Sequence, residues 1–167
     1  MPELTNKERL QPSLLDRLTD DEPGRQVESR EQRVFSLARL REAVLRDLAW
    51  LLNATNLEAG MDLSAYPEVC HSVLNYGIPD LSGTFVSRSN IGALERSLRQ
   101  AIIDFEPRIL SQSLTVRLES NESQMSQNAL TLLIEGELWA QPIPLRVYLK
   151  TEIDLDIGGV EIVDYTG

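Results

Sequence analysis

The feature that most constrains the fold is a strict alternation of residue types between positions 143 and 157. Every odd position except Thr151 is apolar, and every even position carries a proline, a tyrosine or a charged residue. A period of two over this length predicts a strand, or a bent pair of strands, with one dry and one wet face. Gly158 and Gly159 favour a hairpin turn, after which VEIVDY (160–165) predicts a returning strand.

Two further strands and two long helices are predicted earlier in the chain. SLTVRLES (113–120) alternates, and ALTLLIEGELWA (129–140) is apolar on both faces before it becomes polar on one. Apolar residues recur at helical spacing over residues 37–53 and again over 90–105. The sequence therefore predicts an α+β domain in which two main helices pack on an antiparallel sheet of about four strands.

The first 33 residues predict an N-terminal arm, and residues 34–167 a single domain. The arm is polar and rich in turn residues, without the periodicity of a core element. Within it, Ser13 favours the start of a short helix that presents Leu14, Leu15 and Leu18 on one face. A helix of two turns is not stable alone in water, so this short helix must dock either on its own domain or in a partner's groove.

Composition and charge disfavour several classes of function. The net charge of −10, from 26 acidic and 16 basic residues, is unfavourable for binding nucleic acid. No apolar run approaches the length of a membrane span, and the first residues do not resemble a secretory signal. With Cys70 as the sole cysteine, no intrachain disulfide can form, and a cytoplasmic setting is expected.

Other chemistry-bearing residues favour ordinary structural roles. Glu152, Asp154 and Asp156 share one face, where a solvated surface is favoured over a cation site because no calcium-binding loop surrounds them. Cys70 and His71 are adjacent, and neighbouring helical residues point about 100° apart, which disfavours a thiolate–imidazole pair. The sequence has no phosphate-binding glycine loop and no zinc-ligand spacing, so no cofactor is expected.

Carboxylates raise the alternative of glycosidic-bond hydrolysis. That reaction needs an acid of raised pKa and a second carboxylate roughly 5 to 10 Å away. Glu106, Glu135 and Glu137 are the candidates. Aromatic residues, which are common sugar platforms, make up 5% of the chain, so catalysis by these residues is disfavoured.

The stretch Glu106–Pro107–Arg108 is the main candidate for a binding site. Pro107 disfavours helical geometry at Glu106 and so predicts the end of the second long helix. A rigid turn presenting an arginine suits bidentate pairing with a partner's carboxylate. The alternative is that Glu106 and Arg108 satisfy each other or nearby backbone groups.

An ordered set of segments resembles one known family. The segments are SLLDRL (13–18), SREQRVFSLARLREAVLRDLAWLLNA (29–54), LNYGIPDLSG (74–83), EPR (106–108) and IEGELWAQPIPLRVYLKTEIDLDIGG (134–159). Together they resemble the TssE family of type VI secretion baseplate subunits, which is similar to a small wedge protein of contractile phage tails. The resemblance covers nearly the whole chain.

The resemblance implies a non-enzymatic structural subunit without a cofactor. Such proteins sit in the baseplate wedge with TssF, TssG and TssK, and contact the first ring of the TssB–TssC sheath. It assigns docking on the wedge core to Glu106, Pro107 and Arg108, and we expect Leu14, Leu15 and Leu18 to contribute to partner binding. The alternative is a peptidoglycan-cleaving hydrolase of the same fold.

Overall fold

Helices precede strands along the part of the chain that the computed structural model describes, which is residues 13–19, 24, 37–81, 88–120, 129–139, 145–154 and 159–164. The predicted α+β class is confirmed. The α-helices are α1 (Leu14–Leu18), α2 (Leu37–Leu52), α3 (Pro67–Cys70) and α4 (Arg88–Phe105), and the strands are β1 (Thr115–Ser120), β2 (Ala129–Leu138), β3 (Leu145–Asp154) and β4 (Val160–Asp164).

The strands form one antiparallel sheet in the order β1-β2-β3-β4. Each strand therefore pairs with its neighbour in sequence. Strands β2 and β3 each have partners on both sides, so β1 and β4 are the edges of the sheet within the described residues. Gly159 directly precedes β4, whereas Gly158 of the predicted turn lies outside the described residues.

The two faces of the sheet differ as the alternation predicts. The face toward α2 and α4 is apolar, and the register sets Leu132 opposite Leu118 on one side and Thr151 on the other. On the opposite face, Arg117 and Tyr148 are exposed. The core consists of this inner face together with the buried stripes of α2 and α4.

Asn53 joins the end of α2 to the last strand. Its side-chain Nδ2 donates to the Val160 carbonyl at 2.9 Å, and its Oδ1 accepts from the Val160 N–H at 3.0 Å. The amide thus pairs with β4 as a neighbouring strand would, which fixes α2 over that edge of the sheet.

The described part of the segment between α2 and α4 contains the short helix α3 and hydrogen-bonded turns. Ile78 is hydrogen-bonded to the chain just after α2, since its N–H donates to the Ala54 carbonyl at 2.8 Å. Gly77 beside it has φ +126°, and a Cβ there would lie 2.4 Å from the Ala54 oxygen, so this position requires glycine. Asn75 is buried and binds backbone groups of Glu58 and Cys70.

Of the predicted arm, the structure describes α1 with its flanking residues and Gly24. The division at residue 33 stays a prediction. Among the described helices, none is both long and apolar enough to cross a membrane.

Candidate functional site

The Glu106–Pro107–Arg108 stretch forms a tight turn at the end of α4. The Glu106 N–H completes the helix by donating to the Ile102 carbonyl at 2.8 Å. The Glu106 carbonyl then accepts from the Ile109 N–H at 3.1 Å, which closes a four-residue turn with Pro107 in its second position. The helix ends at Phe105, directly before this turn, as Pro107 predicts.

Beyond the turn, the chain is held against the end of β2. The Trp139 N–H donates to the Arg108 carbonyl at 2.7 Å, and the Leu110 N–H donates to the Glu137 carbonyl at 2.8 Å. Ile109 packs over Gly136, where a Cβ would come within 3.0 Å of the isoleucine side chain. The backbone of the turn is therefore fixed from both sides.

Glu106 and Arg108 bind each other. Both oxygens of Glu106 accept from the guanidinium, with Nε at 2.6 Å from Oε1 and Nη2 on Oε2. The same Nη2 also binds Asp47 of α2. The side chain of Glu106 is almost fully buried, at 3% exposed, while that of Arg108 keeps 23% of its surface exposed. Burial alone would lower the pKa of Arg108, but its bonds to Glu106 and Asp47 raise it above the ordinary value.

The ion pairing continues from this turn to the N-terminal helix. Asp47 accepts from Nε of Arg46 at 2.9 Å, and Nη1 of Arg46 lies 2.8 Å from Asp16 of α1. A line of alternating charges thus runs through Glu106, Arg108, Asp47, Arg46 and Asp16. We call these five side chains the charge line.

Helix α1 lies on its own domain through Asp16 and Leu15. Ser13 caps the helix as predicted, and Asp16 completes a capping box. Burial favours a raised pKa for Asp16, but hydrogen bonds from Ser13 and Arg46 outweigh it and lower the pKa below its ordinary value. The geometry supports the first of the two alternatives left open by the sequence, docking on the chain's own domain.

An open pocket of about 210 Å³ lies beside the charge line. The ring of Tyr76 meets Phe105 edge-on at 5.2 Å, and Arg46 lies over Trp50 with its guanidinium carbon 5.1 Å from the ring centroid. Burial, followed by the charges of Asp47 and Glu106, raises the pKa of Tyr76. The lining is apolar at Leu15, Trp50, Leu51, Tyr76 and Phe105 and charged at Asp47, Glu106 and Arg108.

The structure brings some of the predicted site residues together and separates others. Leu15 lines the same pocket as Glu106 and Arg108. Leu14 and Leu18 instead point away from the domain and are 71% and 74% exposed. Leu15, at 43% exposed, is the least exposed of the three leucines, and their contribution to partner binding stays a prediction.

Sequence reasoning missed Asp16, Arg46 and Asp47. Arg46 and Asp47 lie outside the apolar stripe of α2, where charged residues are ordinary. A sequence separation of 61 residues lies between Asp47 and Arg108, so their contact follows from the packing of α4 against α2. The capping box of α1 was the one local pattern that could have singled out Asp16.

The catalytic candidates do not form one site. Glu106 is buried against Arg108, whereas Glu135 and Glu137 lie on the sheet face opposite the helices. His71 binds Asp104, with Nδ1 2.7 Å from Oδ2, rather than the neighbouring Cys70.

Metal-ligating residues do not gather in the described part of the chain. No group of three or more His, Cys, Asp or Glu residues there could hold a metal ion. Within the predicted acidic face, the side chains of Glu152 and Asp154 and the whole of Asp156 lie outside the described residues.

Comparison with known proteins gives a family. Residues 38–143 match the family described as baseplate wedge protein gp25. A crystal structure from Geobacter sulfurreducens, of a protein that carries the name "tail lysozyme", aligns with a TM-score of 0.44 at 16% identity and covers 80% of this chain and 98% of that one. A search of curated proteins gave no significant match. The family match spans well over half of the chain, including α2, α4 and the Glu106–Arg108 turn, and the chain therefore belongs to the gp25 baseplate wedge family, a family of structural baseplate proteins.

Proposed function

We propose that this chain is a non-enzymatic structural subunit of the type VI secretion baseplate wedge. In this role it docks on TssF, TssG and TssK in the cytoplasm and contacts the first ring of the TssB–TssC sheath. Membership of the baseplate wedge family supports the general role. The ordered segments that resemble the TssE family support the type VI assignment.

The observation that carries the docking proposal is the pocket beside the charge line. The wall formed by the turn is fixed before any partner arrives, because the turn is hydrogen-bonded to α4 and to β2. Preformed sites lose little conformational entropy on binding. Arg108 retains exposed surface, and Trp50 beside it is 52% exposed, so both are open to a partner.

The structure changes how the Glu106–Pro107–Arg108 motif would act in docking. Arg108 already binds two carboxylates of its own chain, so it has less capacity for a bidentate bond to a partner. We infer that the motif builds the floor of the docking pocket and that exposed aromatic side chains at its mouth provide the contact area. Leu14 and Leu18, exposed on α1, remain candidates for a second contact.

The hydrolase alternative has less support in this geometry. A glycosidase needs a carboxyl group that a sugar can reach. Glu106 is 2% exposed and binds Arg108 through both oxygens. We therefore expect the purified chain to release no more muropeptides from peptidoglycan than a buffer blank. Release that disappears in Glu106→Gln would instead support catalysis.

A matched pair of aromatic variants tests the docking proposal. Trp50→Ala removes an exposed side chain at the pocket, and Tyr148→Ala removes one that is 39% exposed on the far sheet face. Truncating an interface aromatic of this kind costs about 2 kcal/mol. We expect Trp50→Ala to weaken TssF–TssG binding about thirtyfold in calorimetric titration, with Tyr148→Ala close to wild type. Equal affinities for both variants would contradict docking at the pocket.

A further inference from the structure

Helix α1 shows what chemistry can dock at the edge of the pocket. Leu15 enters the lining, and the neighbouring Asp16 pairs with Arg46 at the end of the charge line. Five residues are too few to be helical alone in water, so the helix depends on its own cap and on this docking. The pocket and Arg46 together hold a short helix by one leucine and one carboxylate.

The leucine half of this contact is loosely packed, whereas the side chain of Asp16 is 6% exposed. Leu15 stays 43% exposed although it lines the pocket, so the fit is partial. The buried core cluster includes no residue of α1, although Leu51 of that cluster lines the pocket together with Leu15. Without α1, Arg46 would keep its bond to Asp47, and its Nη1, which now binds Asp16, could bind another carboxylate.

We propose that the pocket and Arg46 form a receptor for a short helix carrying a leucine followed by an acidic residue. In the free chain α1 occupies this receptor, and a helix of the same chemistry from the wedge partner takes its place on assembly. The partner identity rests on the proposed function. Once replaced, α1 presents Leu14, Leu15 and Leu18 together to its surroundings.

The direct test uses the full chain and the acetylated peptide PSLLDRLT, which has the sequence of residues 12–19. The readout is the indole N–H resonance of Trp50, assigned with a Trp139→Phe variant. The double variant Leu15→Ser/Asp16→Asn weakens the resident helix. If α1 fills the receptor nine-tenths of the time, removing it lowers the apparent Kd for the peptide about tenfold.

Two controls define the receptor chemistry. A peptide with asparagine in place of its aspartate should bind at least about tenfold more weakly, and Arg46→Gln should abolish the difference between the two peptides. Equal binding of the peptide to wild type and to the double variant would overturn the idea that α1 is a resident occupant. A concentration-dependent dimer of the wild-type chain in analytical ultracentrifugation would assign the receptor to a second copy instead, and would overturn the partner assignment.

Competition separates this inference from the proposed function. Adding TssF–TssG should displace the bound peptide from the double variant. The Trp50 resonance should then shift away from its position in the peptide complex. If TssF–TssG binds the chain while the peptide stays in place, the exchange is wrong and the proposed function stands. If TssF–TssG binds neither variant nor wild type, the proposed function fails, and the peptide titration still decides whether the receptor exists.

Discussion

Replacing Arg108 by alanine tests whether the charge line stabilises the fold. The change leaves Glu106 buried without its guanidinium partner and removes the bond to Asp47. Breaking a buried ion pair from one side costs about 3 to 5 kcal/mol. The Arg108 side chain is 23% exposed, so water partly compensates, and we expect the lower end, about 3 kcal/mol. For a domain of this size that corresponds to a melting temperature roughly 10 °C lower.

Differential scanning calorimetry on matched variants measures this loss. The melting temperature of Arg108→Lys should lie between those of wild type and Arg108→Ala, because one ammonium group cannot reproduce the planar hydrogen-bonding geometry of a guanidinium. Arg117→Ala, on the exposed sheet face, should change stability by less than about 0.5 kcal/mol. The double variant Glu106→Gln/Arg108→Met should be less destabilised than Arg108→Ala because it leaves no buried charge at position 106. A melting temperature of Arg108→Ala equal to that of Arg117→Ala would refute the reasoning.

The same Arg108→Ala sample also tests docking. TssF–TssG affinity should be compared for the folded fraction alone, below the melting transition. A further loss of affinity in that fraction would show that Arg108 contributes to binding as well as to folding. Unchanged affinity would limit Arg108 to a structural role.

Three other perturbations have expected outcomes. Gly77→Ala should destabilise the domain by about 3 kcal/mol or more in urea titration, because its Cβ would lie 2.4 Å from a backbone oxygen in a conformation unfavourable for alanine. Asn53→Ala should cost about 1 to 3 kcal/mol and speed hydrogen exchange at the Val160 amide, which loses its acceptor. The pKa of His71, raised by its bond to Asp104, should exceed 6.5 in an NMR titration and should fall in Asp104→Asn. Because the pKa is raised in the folded state, the stabilisation of the fold by the His71–Asp104 pair is full below pH 6.5 and is lost as the pH rises through the folded-state pKa.

Local chemistry explains which parts of the fold could be predicted from the sequence. The alternation over 143–157 predicted β3 because a strand with one buried face has a side-chain period of two. Pro107 predicted the end of α4 because it restricts the residue before it. Both patterns are properties of neighbouring residues and need no knowledge of the tertiary arrangement.

The site depended on contacts that no local pattern specifies. Glu106 and Arg108 are two residues apart, and their pairing was one of two alternatives that the sequence left open. Asp47 joins them only because α2 and α4 pack side by side, and Arg46 and Asp16 join through the placement of α1. A charged residue beside an apolar stripe looks the same in sequence whether it faces water or an arginine from another helix.

The link between Asn53 and Val160 has a consequence for the order of folding. Each strand pairs with the next one along the chain, so the hairpins close short loops and can form early. The hydrogen bonds between Asn53 and Val160 instead join residues separated by 107 positions, so they cannot form before β4 has been synthesised. Until residues 160–164 have left the ribosome, the edge of β3 opposite β2 has no partner strand. Nascent chains that stall before this point should therefore be the most sensitive to proteases and the most prone to strand-to-strand aggregation.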